Sequence, residues 1–291
     1  RLSLLNWFSA FNFDFIKHRR AALIGCTLLM GLGLAGAVVR NGKMYGVDFT
    51  GGDLVTLSYA QKLDTQSLAD FAQKQGFGDL SPVYEHLIGE NQDLLKVQCE
   101  FGQGERLVET LKKAFPNGGL ETKSISAIGP SVTQGLKWNA LISLLAATLG
   151  ILIYIAFRFE LGFGIAAFIS TVHDVFMTVG IFILLGGRFS APMVASILMI
   201  IGYSINDTIV VFDRIREELQ HNPSLSLGKI INLSINQTLS RTLLTSLTTF
   251  MSAFALYWFG AGIINDFALV FLIGIVVGTF SSIFIASPIF Y

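Results

Sequence analysis

Gly202-Tyr203-Ser204-Ile205-Asn206-Asp207-Thr208-Ile209-Val210-Val211-Phe212-Asp213-Arg214-Ile215-Arg216-Glu217 places one carboxylate inside an apolar stretch and a charged cluster at its end. Upstream, Pro192 to Ile205 carries no charge. Pro192–Phe212 therefore reads as a helix long enough to cross hydrocarbon, which takes about 20 residues. Asp213 marks its polar boundary, and six residues of helix put Asp207 about 9 Å inside it. A carboxylate at that depth is costly and points to function, with a partner to be found. Burial disfavours its charge, while a nearby arginine would favour it. A group under both influences can load and release a proton. The plain alternative is an ionised side chain reaching interfacial water.

The rest of the chain fits that reading. Of 291 residues, 52% are hydrophobic and only 14% charged, against roughly 25% charged in soluble domains. This places the chain among polytopic membrane proteins. Six runs are long enough to span: Ala21–Val39, Asn139–Phe157, Gly162–Leu185, Pro192–Phe212, Thr242–Phe259 and Phe267–Phe290. The expected organisation is an N-terminal segment (1–20), a first membrane helix (21–39), a polar domain (40–137) and a bundle of five further helices (138–291). Ala21–Val39 is too long for a signal-peptide core, and Val38-Val39-Arg40 is no cleavage site, so the helix is retained. Formal net charge is zero, and no global field draws nucleic acid. Cys26 and Cys99 are far apart in the sequence, with no metal spacing and no expected disulfide. No cofactor motif is present.

Basic residues fix the orientation. Lys17, Arg19, Arg20, Arg158, Arg214, Arg216 and Lys229 fall at the N-terminus and in the second–third and fourth–fifth connections. Both termini are then cytoplasmic, and segment 40–137 faces outward. In that segment Val47–Phe49 and Leu54–Tyr59 have strand character. Ser67–Lys74 reads as a helix, Val83–Leu87 and Leu94–Glu100 as strands, Glu105–Phe115 as a helix and Glu121–Ile128 as a strand. The order is the split βαβ arrangement of an α+β ferredoxin-like domain. The fold class is thus an α-helical polytopic membrane protein with a ferredoxin-like extracytoplasmic domain between its first two membrane helices.

Other polar residues could serve Asp207. Arg241 opens the fifth run on the same membrane side, as partner or as interfacial anchor. Arg214, two turns after Asp207, is expected in cytoplasmic water. His173 and Asp174 lie mid-way along the third run. Helical neighbours point about 100° apart, so they are not expected to pair tightly. They suit either an interhelical hydrogen bond or a proton relay. Gly274 and Gly278, and likewise Gly31 and Ala35, have the spacing of close helix contacts.

Several stretches together resemble the SecF family, the smaller half of the bacterial SecD–SecF protein-export complex. They are Gly46-Val47-Asp48-Phe49-Thr50-Gly51-Gly52, Ile128-Gly129-Pro130-Ser131-Val132, Arg158-Phe159-Glu160, His173-Asp174-Val175, Gly202 through Glu217, and Ser240-Arg241-Thr242. The resemblance implies a relative of the resistance–nodulation–division (RND) transporters in the bacterial inner membrane. It implies use of the proton-motive force to assist protein translocation, not hydrolysis. The implied partners are SecD, separate or fused, the SecYEG translocon, the translocating polypeptide, protons, membrane lipid, and YajC or YidC. It matches the family's proton route to Asp207 and Arg241, its third-helix motif to His173 and Asp174, and the cytoplasmic end of the fourth-helix motif to Asp213. Asp48, Phe49, Thr50, Gly51 and Gly52 match its periplasmic signature. The alternatives are a passive scaffold, an RND-type exporter half for small molecules or lipids, and an intramembrane protease built on Asp174 and Asp207.

Overall fold

The computed structural model describes residues 13–40, 44–77, 80, 82–86, 93–260 and 263–291. Six candidate membrane spans run through them. The first is α1 (Phe15–Arg40). After the sheet domain come α5 (Pro130–Arg158), α6 (Leu161–Leu184), α7 (Ala191–His221) and α8 (Leu227–Phe259). The last span joins α9 (Ile263–Ser281), a π-helical turn (Ser282–Ala286) and α10 (Ser287–Phe290). Proline in the first turn starts α5 and α7, where its missing N–H leaves no bond unmade.

Several helices outrun their apolar stretches. α7 continues nine residues past Phe212, and α8 begins fifteen residues before Thr242. Both extensions are amphipathic, and they bury their apolar faces on each other. Phe212 and Ile215 share a core with Ile230, Ile231 and Ile235, joined by Phe15, Phe159 and Phe163. Hydropathy marks the hydrocarbon-facing part of such a helix, not its end.

The last span is irregular where an unbroken helix is expected. Pro288 cannot donate to the carbonyl four residues earlier, and its ring crowds that carbonyl. The wider π turn just before it relieves the conflict. Ser287 Oγ donates to the Ser282 carbonyl at 2.8 Å inside this turn.

α6, α7 and the α9–α10 span carry most of the buried residues, while α1, α5 and α8 are largely exposed. Small residues set the closest approaches. A Cβ on Gly274 would overlap Ile200, and one on Gly278 would meet Ser204 at 3.0 Å. On α1 the expected pair is displaced. Gly31 touches nothing, whereas Gly33 lies against Gly180, where an added Cβ would sit 2.7 Å from the Gly180 Cα. Spacing identifies a small-residue stripe but not which of several stripes meets a neighbour.

The sheet domain contains β1 (Gly52–Ser58), α3 (Thr65–Lys74), β2 (Val83–His86), β3 (Asp93–Cys99), α4 (Gly104–Ala114) and β4 (Glu121–Ile128). The sheet order is β2-β3-β1-β4 with every pair antiparallel, the ferredoxin-like arrangement. Leu68, Ala72, Leu107 and Leu111 of the two helices cover Val55, Leu57, Leu95 and Val97 of the sheet. Asp64 caps α3 by accepting from the Ser67 amide at 2.8 Å. One expectation fails. Val47–Phe49, read as a strand from its valine and phenylalanine, is the short helix α2 (Val47–Thr50). Here the local turn closed on the Gly46 carbonyl by the Phe49 and Thr50 amides overrides β propensity.

Candidate functional site

The buried face of α7 presents Ile197, Ile200, Ile201, Ser204, Asp207, Thr208 and Val211 to its neighbours. Asp207 is thus turned inward by the same 3.6-residue period that buries the isoleucines. Only 2% of it is exposed. Among the described residues its one side-chain hydrogen bond comes from Ser246 Oγ of α8, at 3.5 Å from Oδ2. That is a stretched contact. Ser246 Oγ also bonds the Thr242 carbonyl at 2.8 Å and Thr279 Oγ1 of α9 at 2.7 Å. A serine hydroxyl has a single proton, and the shorter bond to the Thr242 carbonyl competes for it. Asp207 is left poorly served. Nearby, the buried hydroxyls of Tyr203 and Thr242 find no hydrogen-bond partner among the described residues.

Arg241 stands on the exposed side of α8, five residues before Ser246. Among the described residues no ion pair joins it to Asp207, and about one and a half turns of α8 separate it from the serine that does reach the carboxylate. The arrangement therefore holds a carboxylate, hydroxyls and an arginine in one neighbourhood without locking them together. Arg214 is elsewhere, donating to Gln237, Glu217 and Glu218. Asp213 pairs with Arg158 at 3.1 Å, both partly in the open.

A second buried carboxylate sits on α6. Asp174, 1% exposed, accepts from Ser281 Oγ at 2.7 Å and closely from Ser204 Oγ, both at Oδ2. His173 Nδ1 lies 3.0 Å from Oδ1. The two neighbours do pair, against expectation. Nδ1 is the ring nitrogen nearest the backbone, and a short aspartate can lean across the 100° between adjacent side chains. Ser204 stands about one turn before Asp207 on α7, so the two carboxylates meet one stretch of that helix with separate hydroxyl sets. An aspartyl-protease pair needs two carboxyls sharing one water or proton. With both oxygens of Asp174 committed to side chains of its own cluster, that alternative is set aside.

The remaining predicted residues lie at the other end of α7. Asp48 Oδ2 accepts from the Ala191 amide at 2.7 Å, at the helix start. The Phe49 ring is 5.1 Å from that of Phe189. Thr50 Oγ1 accepts from Gln98 Nε2 at 2.7 Å. Gly51 and Gly52 have φ of +75° and +121°, and the Cys99 carbonyl fills the space a Gly52 side chain would need. About 24 Å of helix separates Ala191 from Asp207. Sequence reasoning missed Ser204, Ser246, Thr279 and Ser281. The available signal was the density of hydroxyls in spans meant for hydrocarbon.

Residues 107–291 match the family described as "Protein export membrane protein SecD/SecF, C-terminal". The chain is 39% identical to protein translocase subunit SecF of Thermodesulfovibrio yellowstonii, over 96% of this chain and 93% of that one. The chain belongs to the SecD/SecF family. Desulfurispirillum indicum SecF is 40% identical over 94% of this chain and 89% of its own. The crystal structure of Thermus thermophilus SecDF superposes with a TM-score of 0.84 at 35% identity, covering 97% of this chain and 38% of that longer one. A SecDF structure in a super-membrane-facing form gives 0.66. SecD/SecF membership makes the chain a multi-pass membrane protein of the protein-translocation machinery, with a SecD-type counterpart. Its relatives are translocase subunits.

Proposed function

We propose that this chain is the SecF-type half of a proton-driven motor that assists polypeptide translocation. The observation carrying this reading is Asp207, enclosed in the membrane-spanning bundle with one stretched hydrogen bond and an unlocked arginine nearby. A proton arriving from the sheet-domain side neutralises the carboxylate and releases its attraction to Arg241. Loss of a proton to the opposite side restores it. Each charge crossing the field contributes roughly 2.3 kcal/mol per 100 mV, which biases a two-state element more than tenfold. α7 then shifts against the SecD-type half, and the sheet domain moves with it, favouring forward movement of the polypeptide. Arg158 at the end of α5 and Lys229 at the start of α8 support cytoplasmic termini with the sheet domain outside. The chain itself breaks no bond. It works beside the SecYEG translocon in the bacterial inner membrane, and YajC or YidC would join that assembly.

The test is preprotein release from vesicles carrying the full translocon, with and without a proton gradient. Asp207→Asn and Arg241→Met are each expected to lose the gradient-dependent part, at least tenfold, with assembly intact. Unchanged release in both removes the proton-driven reading and leaves a scaffold.

A further inference from the structure

The loop joining α6 to α7, residues 185–190, is held by groups that belong to neither helix. Arg40, the last residue of α1, donates from Nη1 to the Ile183 and Gly187 carbonyls at 2.9 and 2.8 Å, and from Nη2 to the Gly186 carbonyl at 2.9 Å. The last carbonyls of a helix have no partner within it, and a cation there also suits the helix dipole. Arg40 thus finishes α6 from outside. α7 has the complementary need. Its own N-cap residue, Ser190, makes no side-chain capping bond. Asp48 supplies one from a distant part of the chain, accepting from the Ala191 amide and placing a carboxylate at the positive end of the helix.

The same loop is bonded to the root of the sheet domain. The Gly46 amide donates to the Phe189 carbonyl at 2.8 Å, and the Phe189 amide donates to the Met44 carbonyl at 2.6 Å. Arg188 Nη1 reaches Gln98 Oε1 of β3 at 3.4 Å, and Gln98 in turn holds Thr50. Asp48 lies in α2, which runs through Gly51 directly into β1. One short path therefore leads from the sheet to the first turn of the helix that carries Asp207.

We infer that Asp48, backed by Arg40, is the coupling joint of the motor. It is a positioning residue that fixes the first turn of α7 to the sheet domain, so that motion begun at Asp207 is delivered outside the membrane. This rests on the proposed proton-driven function. A helix transmits an axial or tilting displacement along about 24 Å with little loss only if its far end is held. An N-terminus without its cap frays, and the displacement dissipates in the loop.

Gradient-stimulated preprotein release by the full complex tests the joint, together with Asp207-dependent proton uptake. Spin labels on Lys123→Cys and Leu185→Cys, in a background lacking Cys26 and Cys99, add a distance between sheet domain and loop. Asp48→Ala is expected to cut gradient stimulation about tenfold and to broaden the label distance, with proton uptake retained. Asp48→Asn keeps a capping oxygen and is expected to stay within about twofold of the parent on all three readouts. Arg40→Gln, which cannot satisfy three carbonyls, is expected to behave as Asp48→Ala and serves if that variant does not assemble. Equal damage from Asp48→Asn and Asp48→Ala would overturn the joint in favour of a role for the charge. Full stimulation and a narrow distance in Asp48→Ala would also overturn it. If instead Asp207→Asn retains full stimulation, the proton-driven reading fails, and the label distances alone decide whether the joint exists.

Discussion

Two buried aspartates on neighbouring helices differ in how well hydroxyls serve them. Asp174 has Ser204, Ser281 and His173 in contact, whereas Asp207 has, among the described residues, only the distant Ser246. The first is suited to hold three helices together, the second to change state. Asp174→Asn can turn its oxygen to the serines and its amide to His173, so the fold should survive it. Asp174→Leu strands three polar groups at about 1–3 kcal/mol each. Thermal melting in detergent should therefore show Asp174→Leu several degrees below the parent and Asp174→Asn near it. Loss of export in a well-folded Asp174→Asn would instead assign Asp174 a proton. Cys99 offers an independent check on the sheet domain. Burial, with the charges of Asp53 and Glu100, pushes its thiol up to about 11. At pH 7.5 it should resist maleimide until denaturant is added, since the thiolate is the reactive species. Asp207 was legible in the sequence because a lone charge in an apolar run is a strong signal. Its hydroxyl neighbours were not, because serine and threonine in membrane helices more often bond their own backbone, as Ser234 and Thr245 do here.

Among the elements, α1 shows what periodicity conveys and what it leaves open. Its length and apolarity mark a span, but Gly25, Gly31, Gly33 and Gly36 offer several possible contact stripes. Only the partner helix chooses between them, and Gly180 chooses Gly33. Gly33→Ala should force α1 away from α6 and cost about 1–3 kcal/mol, while Gly31→Ala should be neutral in the same melting experiment. The opposite end of α1 is also tied from a distance. Phe13 exchanges backbone bonds with the Asn236 side chain, and Asp14 accepts from Asn232 at 2.5 Å. The Asn232 bond, then the Lys17 amide, hold the Asp14 carboxyl below its usual range. A depressed carboxyl stabilises above its ordinary titration and loses that contribution as pH falls through its native value. The tie to α8 should therefore hold at neutral pH and release only in acid below about 3.9, visible as faster amide exchange at Phe13 and Ile16. The helical α2, read as a strand, failed for the same reason as Gly31. Four residues carry too little pattern to outweigh the neighbours that fold around them.

At the scale of the whole molecule, the buried helices α6 and α7 carry the carboxylates, α9 adds the Thr279 and Ser281 hydroxyls, and α1 clasps the assembly at both ends. One face remains open where the chemistry is. On α7, beside Asp207, Asn206 is exposed and Gly202 has open space around it. Arg241 is exposed on the adjacent α8. An amide and a guanidinium at membrane depth are expensive against lipid, and a bare glycine forgoes packing there. The inexpensive arrangement covers this face with protein. We propose a SecD-type half as its occupant; this chain covers 38% of the longer Thermus thermophilus SecDF chain. Asn206→Cys, in a chain lacking Cys26 and Cys99, should react with a lipid-soluble thiol reagent when the chain is made alone. With the SecD-type subunit it should be protected at least tenfold, while a cysteine at exposed Leu28 of α1 stays reactive in both. Equal labelling of Asn206→Cys with and without that subunit would put this face against lipid, and Asp207 would then have to work with no second half beside it.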